Sequence, residues 1–203
     1  MGKARVKRLQ HERAKQRRLL RLAFAVMELM FFVELGFGLM TVSAALQIDA
    51  LETASSKPMT DAVLGRKISA QHEVILELAG GLFAIALCLW VISVVIWNTL
   101  HHLMPNPRIM AAVSVVGIMT NAAVGTLFYR DRLNSATLRA AWTTSRNDLI
   151  GNVCVLAAAI GVYITGRNWP DALAAAAIMP FALYRAATAI KNARAVMVKN
   201  DQW

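Results

Sequence analysis

Residues 78–97 read LAGGLFAIALCLWVISVVIW, twenty positions without a charged side chain. A helix of about twenty apolar residues spans a bilayer core of about 30 Å. In lipid only helices and closed barrels satisfy every backbone polar group. Barrel strands alternate apolar and polar side chains, and this run does not. It is therefore predicted to be a transmembrane helix. Residues 109–129, IMAAVSVVGIMTNAAVGTLFY, repeat the pattern over twenty-one uncharged positions.

Working outward from this pair, apolar stretches at about 22–46, 141–165 and 171–190 are predicted as further spans, with 75–100 and 109–129 enclosing the two runs above. LMPNPR (103–108) and GRNWP (166–170) read as tight turns, because proline and glycine punctuate helices. Residues 47–64, QIDALETASSKPMTDAVL, hold Asp49, Glu52, Lys57, Pro58 and Asp61, and hydropathy alone makes them a loop.

Loop charge argues the opposite. If 47–64 crosses the membrane, then Arg66, Lys67, Arg130, Arg132, Arg139, Lys191, Arg194 and Lys199 lie on the side of the basic N-terminus, and only Arg108 and Arg167 face out. That is the positive-inside pattern; leaving 47–64 outside reverses the side of every later loop. The expectation is an all-α membrane protein, a six-span helix bundle with a polar, degenerate-looking second helix. Its parts are a basic cytoplasmic segment (1–21), a membrane domain (22–190) and a short cytoplasmic tail (191–203). A polar second span requires neighbouring helices or an aqueous cavity to cover it.

The formal charge is +10, concentrated in a start that carries Lys3, Arg5, Lys7, Arg8, Arg13, Lys15, Arg17, Arg18 and Arg21 against Glu12. Directly before an apolar helix, this reads as a topology anchor at anionic headgroups and not as a nucleic-acid site. The apolar run after it exceeds the roughly 7–15 residues of a signal-peptide core. Cys88 and Cys154 stand alone inside spans and imply neither a disulfide framework nor a zinc site. No phosphate loop, nucleophile elbow or HExxH motif is present, so the chain is not read as an enzyme.

Ionisable side chains inside the membrane are functional candidates. Thr144, Asp148 and Asn152 are spaced i, i+4, i+8 and share one helix face. All three offer oxygen ligands; the alternative for Asp148 is a helix N-cap with interfacial neighbours. Asp49 and Glu52, at i, i+3, share another face, and with Asp148 they would form a carboxylate cluster if the second and fifth helices touch. Carboxylates suit hard divalent cations, whereas zinc prefers some histidine or cysteine. Glu28 and Glu34 read as buried hydrogen-bonded acids; the alternatives are proton carriage or pairing with Arg146. His101 and His102 read as interfacial.

WTTSRNDLIGN (142–152) resembles the fifth transmembrane helix of the cation diffusion facilitator family, in particular members with S-R-N-D there and no soluble C-terminal domain. GRNWPD (166–171) is similar to the family's G-x-x-W-x-D turn, and FFVE (31–34) and SAALQIDAL (43–51) to its first helix and the start of its second. The resemblance covers about residues 22–195. It implies a dimeric inner-membrane exporter that exchanges divalent metal ions, often zinc, for protons, with no permanently bound cofactor. It places ligand pairs on Thr144 and Asp148 and on Glu52 and Ser56, and the chain departs from the family pattern at Thr144 and Ser56. The resulting expectation is an oxygen-rich site of Asp49, Glu52, Thr144, Asp148 and Asn152 for zinc, cobalt, manganese or iron. The alternative is a non-transporting protein on the same scaffold, structural or regulatory in role.

Overall fold

The computed structural model describes residues 2–54, 70–130 and 136–200. Among them the elements are six helices: α1 (Gly2–Met40), α2 (Ala44–Ala54), α3 (Ala70–Leu100), α4 (Pro107–Tyr129), α5 (Ala136–Thr165) and α6 (Trp169–Asn200). Five contain stretches long and apolar enough to cross a membrane: Arg18–Met40, Leu78–Leu100, Pro107–Tyr129, Ala141–Thr165 and Trp169–Arg194. The chain is an integral membrane protein, and its surface says so. Only 17% of the apolar stretch in α3 is buried, while Phe83, Trp90, Ile96 and Trp97 are exposed. In water so large an apolar face would need a partner; here lipid covers it. α1 runs unbroken from the basic segment into its apolar span, so residues 21 and 22 mark a change of composition, not of backbone.

The first span ends earlier than expected, at Met40, and Ala44–Leu46 belong to α2. The reason is a Schellman closure. Ser43 N donates to Gly38 O (3.0 Å) and Val42 N to Leu39 O (3.3 Å), with Val42 in the left-handed region at φ 53°. That position usually carries glycine. Here a β-branched residue occupies it, so the stop signal is absent from the sequence. Asn98 Nδ2 holds the turn from outside by donating to Val42 O (2.6 Å). α3 ends in the same way, with His102 at φ 52° and Leu103 N donating to Asn98 O. α5 ends at Gly166, φ 60°, where glycine is present. α4 starts on Asn106, whose side chain accepts from Arg108 N and Ile109 N, with Pro107 in the first turn, where its missing N–H costs nothing.

α2 is the innermost helix. Every residue from Ala44 to Leu51 is buried, against α1, α3, α5 and α6. The described part of the polar second segment is thus covered by neighbours, the condition its acids demand. Residues 55–69, with Ser56, Lys57, Pro58 and Asp61, lie outside the described residues. α2 turns back beside α1, where Gln47 Nε2 donates to Gly38 O (3.1 Å) and Gln47 Oε1 accepts from Trp90 Nε1 of α3 (2.9 Å).

α2's N-terminus is capped from another helix. Asp171, in the first turn of α6, accepts from Ser43 Oγ (2.6 Å), Ala44 N (2.7 Å) and Ala45 N (3.2 Å). Ser43 Oγ in turn accepts from Leu46 N (3.2 Å). A helix leaves its first four N–H groups without intrahelical partners. Asp171 satisfies two of them for α2 while lying at the positive end of α6.

Candidate cation site

The buried stripe of α4 is Met110, Val113, Ser114, Gly117, Asn121, Val124 and Phe128. It packs on α5 in antiparallel register, Gly117 against Asn152 and Gly125 against Ser145. The same register sets Asn121 level with Asp148. The α5 face predicted from i, i+4, i+8 spacing is buried throughout: Thr144 is 7% exposed and Asp148 and Asn152 0%. Asp148 lies more than three turns inside α5, which starts at Ala136. An N-cap role for it is thereby removed.

Asp49 of α2 meets this face. Its carboxylate sits over Gly151 of α5: a methyl group there would overlap Asp49 Oδ1 and stand 3.1 Å from Cγ. Gly151 follows Asp148 by one turn, so α2 and α5 do touch, and Asp49 reaches the stretch of helix that carries Asp148 and Asn152. Asp49 is itself fully buried. Glu52 stands one turn further along α2; its side chain lies outside the described residues, as does that of Glu77.

Glu34 of α1 joins from a third direction. It is fully buried, and its Oε1 accepts from Asn152 Nδ2 (3.0 Å). Arg146, the other partner considered for it, is exposed and lies over the Trp142 ring, 5.2 Å from the centroid. Asn152 Nδ2 also donates to Asp148 O (3.1 Å). His101 and His102 are exposed at the end of α3, His101 stacked on Trp97, away from this cluster. Cys88 and Cys154 are free thiols.

The assembled region gathers Glu34, Asp49, Asp148 and Asn152 from α1, α2 and α5, with Asn121 of α4 level with Asp148. Among the described residues, the buried Asp, Glu, His, Lys and Arg side chains are Glu34, Asp49, Asp148 and Asp171, and all are acids. Also among the described residues, no three His, Cys, Asp or Glu side chains converge closely enough to hold a metal ion by themselves. Chemically, then, the region offers a negative potential and oxygen donors of mixed kind, with amides and hydroxyls beside carboxylates.

Sequence reasoning missed Gly117 and Asn121. Their signal was available as small and polar residues at helical spacing in an otherwise apolar run, the composition of membrane helix interfaces. The family model of the cation efflux transmembrane domain matches residues 71–198, well over half of the chain. The match includes Thr144, Asp148 and Asn152 and begins after α2. No curated protein matches the chain.

Proposed function

The chain belongs to the cation efflux family, also called the cation diffusion facilitators, membrane transporters of metal cations, and from that premise we propose that it exports a divalent cation in exchange for protons. Asp49 and Asp148 supply the charge at the site. Thr144 and Asn152 contribute neutral oxygens, and Glu52, one turn further along α2 in sequence, is the remaining candidate donor. The observation that carries this reading is the seat of Asp49 on Gly151, which brings the acid of α2 to the α5 face of Asp148 in a fully buried place. An all-oxygen donor set suits hard cations such as manganese and lacks the histidine or cysteine that zinc sites usually carry. Carboxylates must be deprotonated to bind the ion, so binding releases protons and links the two flows.

The test is flux into proteoliposomes holding the purified protein, scanning manganese, iron, cobalt and zinc under an imposed pH gradient. Saturable flux that collapses when the gradient is dissipated is expected. Flux equal to that of empty liposomes for all four ions would reject export. It would instead promote the non-transporting reading, which Ser56 in place of the family's aspartate favours.

Gly151→Ala tests the seat itself. The added methyl displaces Asp49 Oδ1, the end of a short side chain that can turn aside, so the fold survives. The expected result is at least a tenfold rise in the half-saturating cation concentration, the equivalent of about 1.4 kcal/mol. An unchanged value would detach Asp49 from the site.

The export reading also carries a topology, with both termini cytoplasmic at the inner membrane. The α1–α2 and α5–α6 connections lie at one end of the bundle, joined by Asp171 and Ser43, and Asn98 ties the end of α3 to the same place. Arg108 and Arg167 are the only lysine or arginine residues in or beside the connections at that end, so the opposite, Lys- and Arg-rich end is the cytoplasmic one in this reading. Reporter fusions at residues 1 and 203 are expected to give cytoplasmic signals, and a periplasmic signal from either would overturn the six-span map.

A further inference from the structure

The side chain of Asn152 is gripped by two helices that the donor set above does not include. Its Nδ2 donates to Glu34 Oε1 of α1 (3.0 Å) and to Asp148 O of its own helix (3.1 Å). Both amide hydrogens are thereby used. Its Oδ1 is buried and accepts no hydrogen bond among the described residues. The amide lies in the space left by the missing side chain of Gly117 on α4, where a methyl group would overlap Oδ1 and stand 2.8 Å from Nδ2.

An amide has two chemically opposite ends. A hard cation takes oxygen and is repelled by the NH2 group. Which end is on offer depends on what engages the other. From this geometry we infer that Glu34 and Gly117 are positioning residues for Asn152: Glu34 captures the nitrogen end, leaving the oxygen for the cation, and Gly117 provides the room in which that oxygen lies. The site then depends on α1 and α4 as well as on α2 and α5. This inference rests on the export reading, since it assigns Asn152 a cation to meet.

Because the role is orientation through hydrogen bonding, the residue at 34 must accept, and its charge is secondary. Glu34→Gln keeps an acceptor oxygen at the same reach; Glu34→Ala removes it. Gly117→Ala closes the notch. With manganese as the probe in the same vesicles, Glu34→Ala and Gly117→Ala are each expected to raise the half-saturating concentration about tenfold, the loss of one neutral ligand at 1.4 kcal/mol per decade. The maximal rate should stay within about threefold, and Glu34→Gln should recover most of the affinity. In an Asn152→Ala background neither Glu34→Ala nor Gly117→Ala should add a further loss, because groups acting through one side chain are not additive.

Several outcomes overturn the inference. A loss in Glu34→Gln as deep as in Glu34→Ala would make the carboxylate's charge decisive. Full additivity with Asn152→Ala would reduce both residues to packing. Wild-type affinity in all three variants would leave Asn152 without a positioning partner. If Glu34→Ala does not fold, Gly117→Ala and its double variant with Asn152→Ala decide alone. Asp148→Asn, run alongside, separates the two levels. If it abolishes flux while these variants behave like wild type, export stands and the positioning role falls; if it transports normally, Asp148 is not a donor and the site to which Asn152 was assigned falls.

Discussion

Asp148→Asn abolishes cation flux in reconstituted vesicles while the protein retains its fold. The substitution preserves size and hydrogen-bonding capacity and removes one negative charge at a position with no exposure to solvent. Two unit charges about 4 Å apart attract by roughly 4 kcal/mol at an effective dielectric of about 20, and a divalent ion doubles that figure. Desolvation offsets part of it, but a residual few kcal/mol still separates a working site from an empty one, at about 1.4 kcal/mol per decade. A loss of more than about a hundredfold is therefore expected. A neutral amide oxygen can ligate a hard ion, but it does not supply the charge on which a divalent ion in a buried site depends. Capping offers no rival explanation, because Asp148 lies three turns inside its helix, and an asparagine on that face keeps the α5 packing. The measurement is initial flux at equal incorporation, with gel-filtration profiles matched to wild type. Equal flux in the two proteins would remove Asp148 from the mechanism.

Asp171→Ala lowers the stability of the detergent-solubilised protein more than any other single truncation at the capped end of the bundle. Asp171 is 2% exposed and accepts from one hydroxyl and two backbone N–H groups at the start of α2. Its removal strands Ala44 N and Ala45 N in a buried setting, at about 1–3 kcal/mol for each unsatisfied donor. It also takes an anion from the positive ends of two helices. The sum is roughly 3–5 kcal/mol, and at about 2–4 °C per kcal/mol the melting temperature falls by about 10 °C. Ser43→Ala, which removes a single cap side chain, is expected to cost about 1 kcal/mol. A melting curve for Asp171→Ala within about 2 °C of wild type, against that scale, would mean that α2 is held by packing alone. Since Asp49 lies on the second turn of α2, this loss should also weaken cation binding, through position and not through charge.

The parts of this protein that follow from the chain alone are those that depend on counting along it. Uninterrupted apolar length is a local property, so α3 and α4 were legible at once, and α5 and α6 nearly so. The α5 stripe Thr144–Asp148–Asn152 followed from helical spacing, and its burial agrees with that spacing. Charge on the loops, again a one-dimensional pattern, argued that the polar segment after Gln47 crosses the membrane; the structure describes that segment as far as Ala54, and Gln47 to Leu51 are enclosed by neighbouring helices.

What the chain alone left undecided depends on which helix meets which, and at what height. The end of α1 was hidden because Val42 takes a backbone conformation usually marked by glycine, held there by Asn98 from a helix more than fifty residues away. Asp171 reads locally as an ordinary first-turn acid of α6; only the packing of α6 on α2 makes it the cap of another helix. In sequence Glu34 reads as a buried acid or a partner for Arg146, and the packing of α1 on α2 and α4 sets it against Asn152 of α5 instead. Gly117 and Gly151 look like two more small residues in membrane helices. Their meaning lies in the side chain opposite each one, Asn152 and Asp49, which only the register between helices determines. Composition and periodicity are summed along one helix, whereas a site is a coincidence of side chains from several, and that coincidence exists only once the helices have packed.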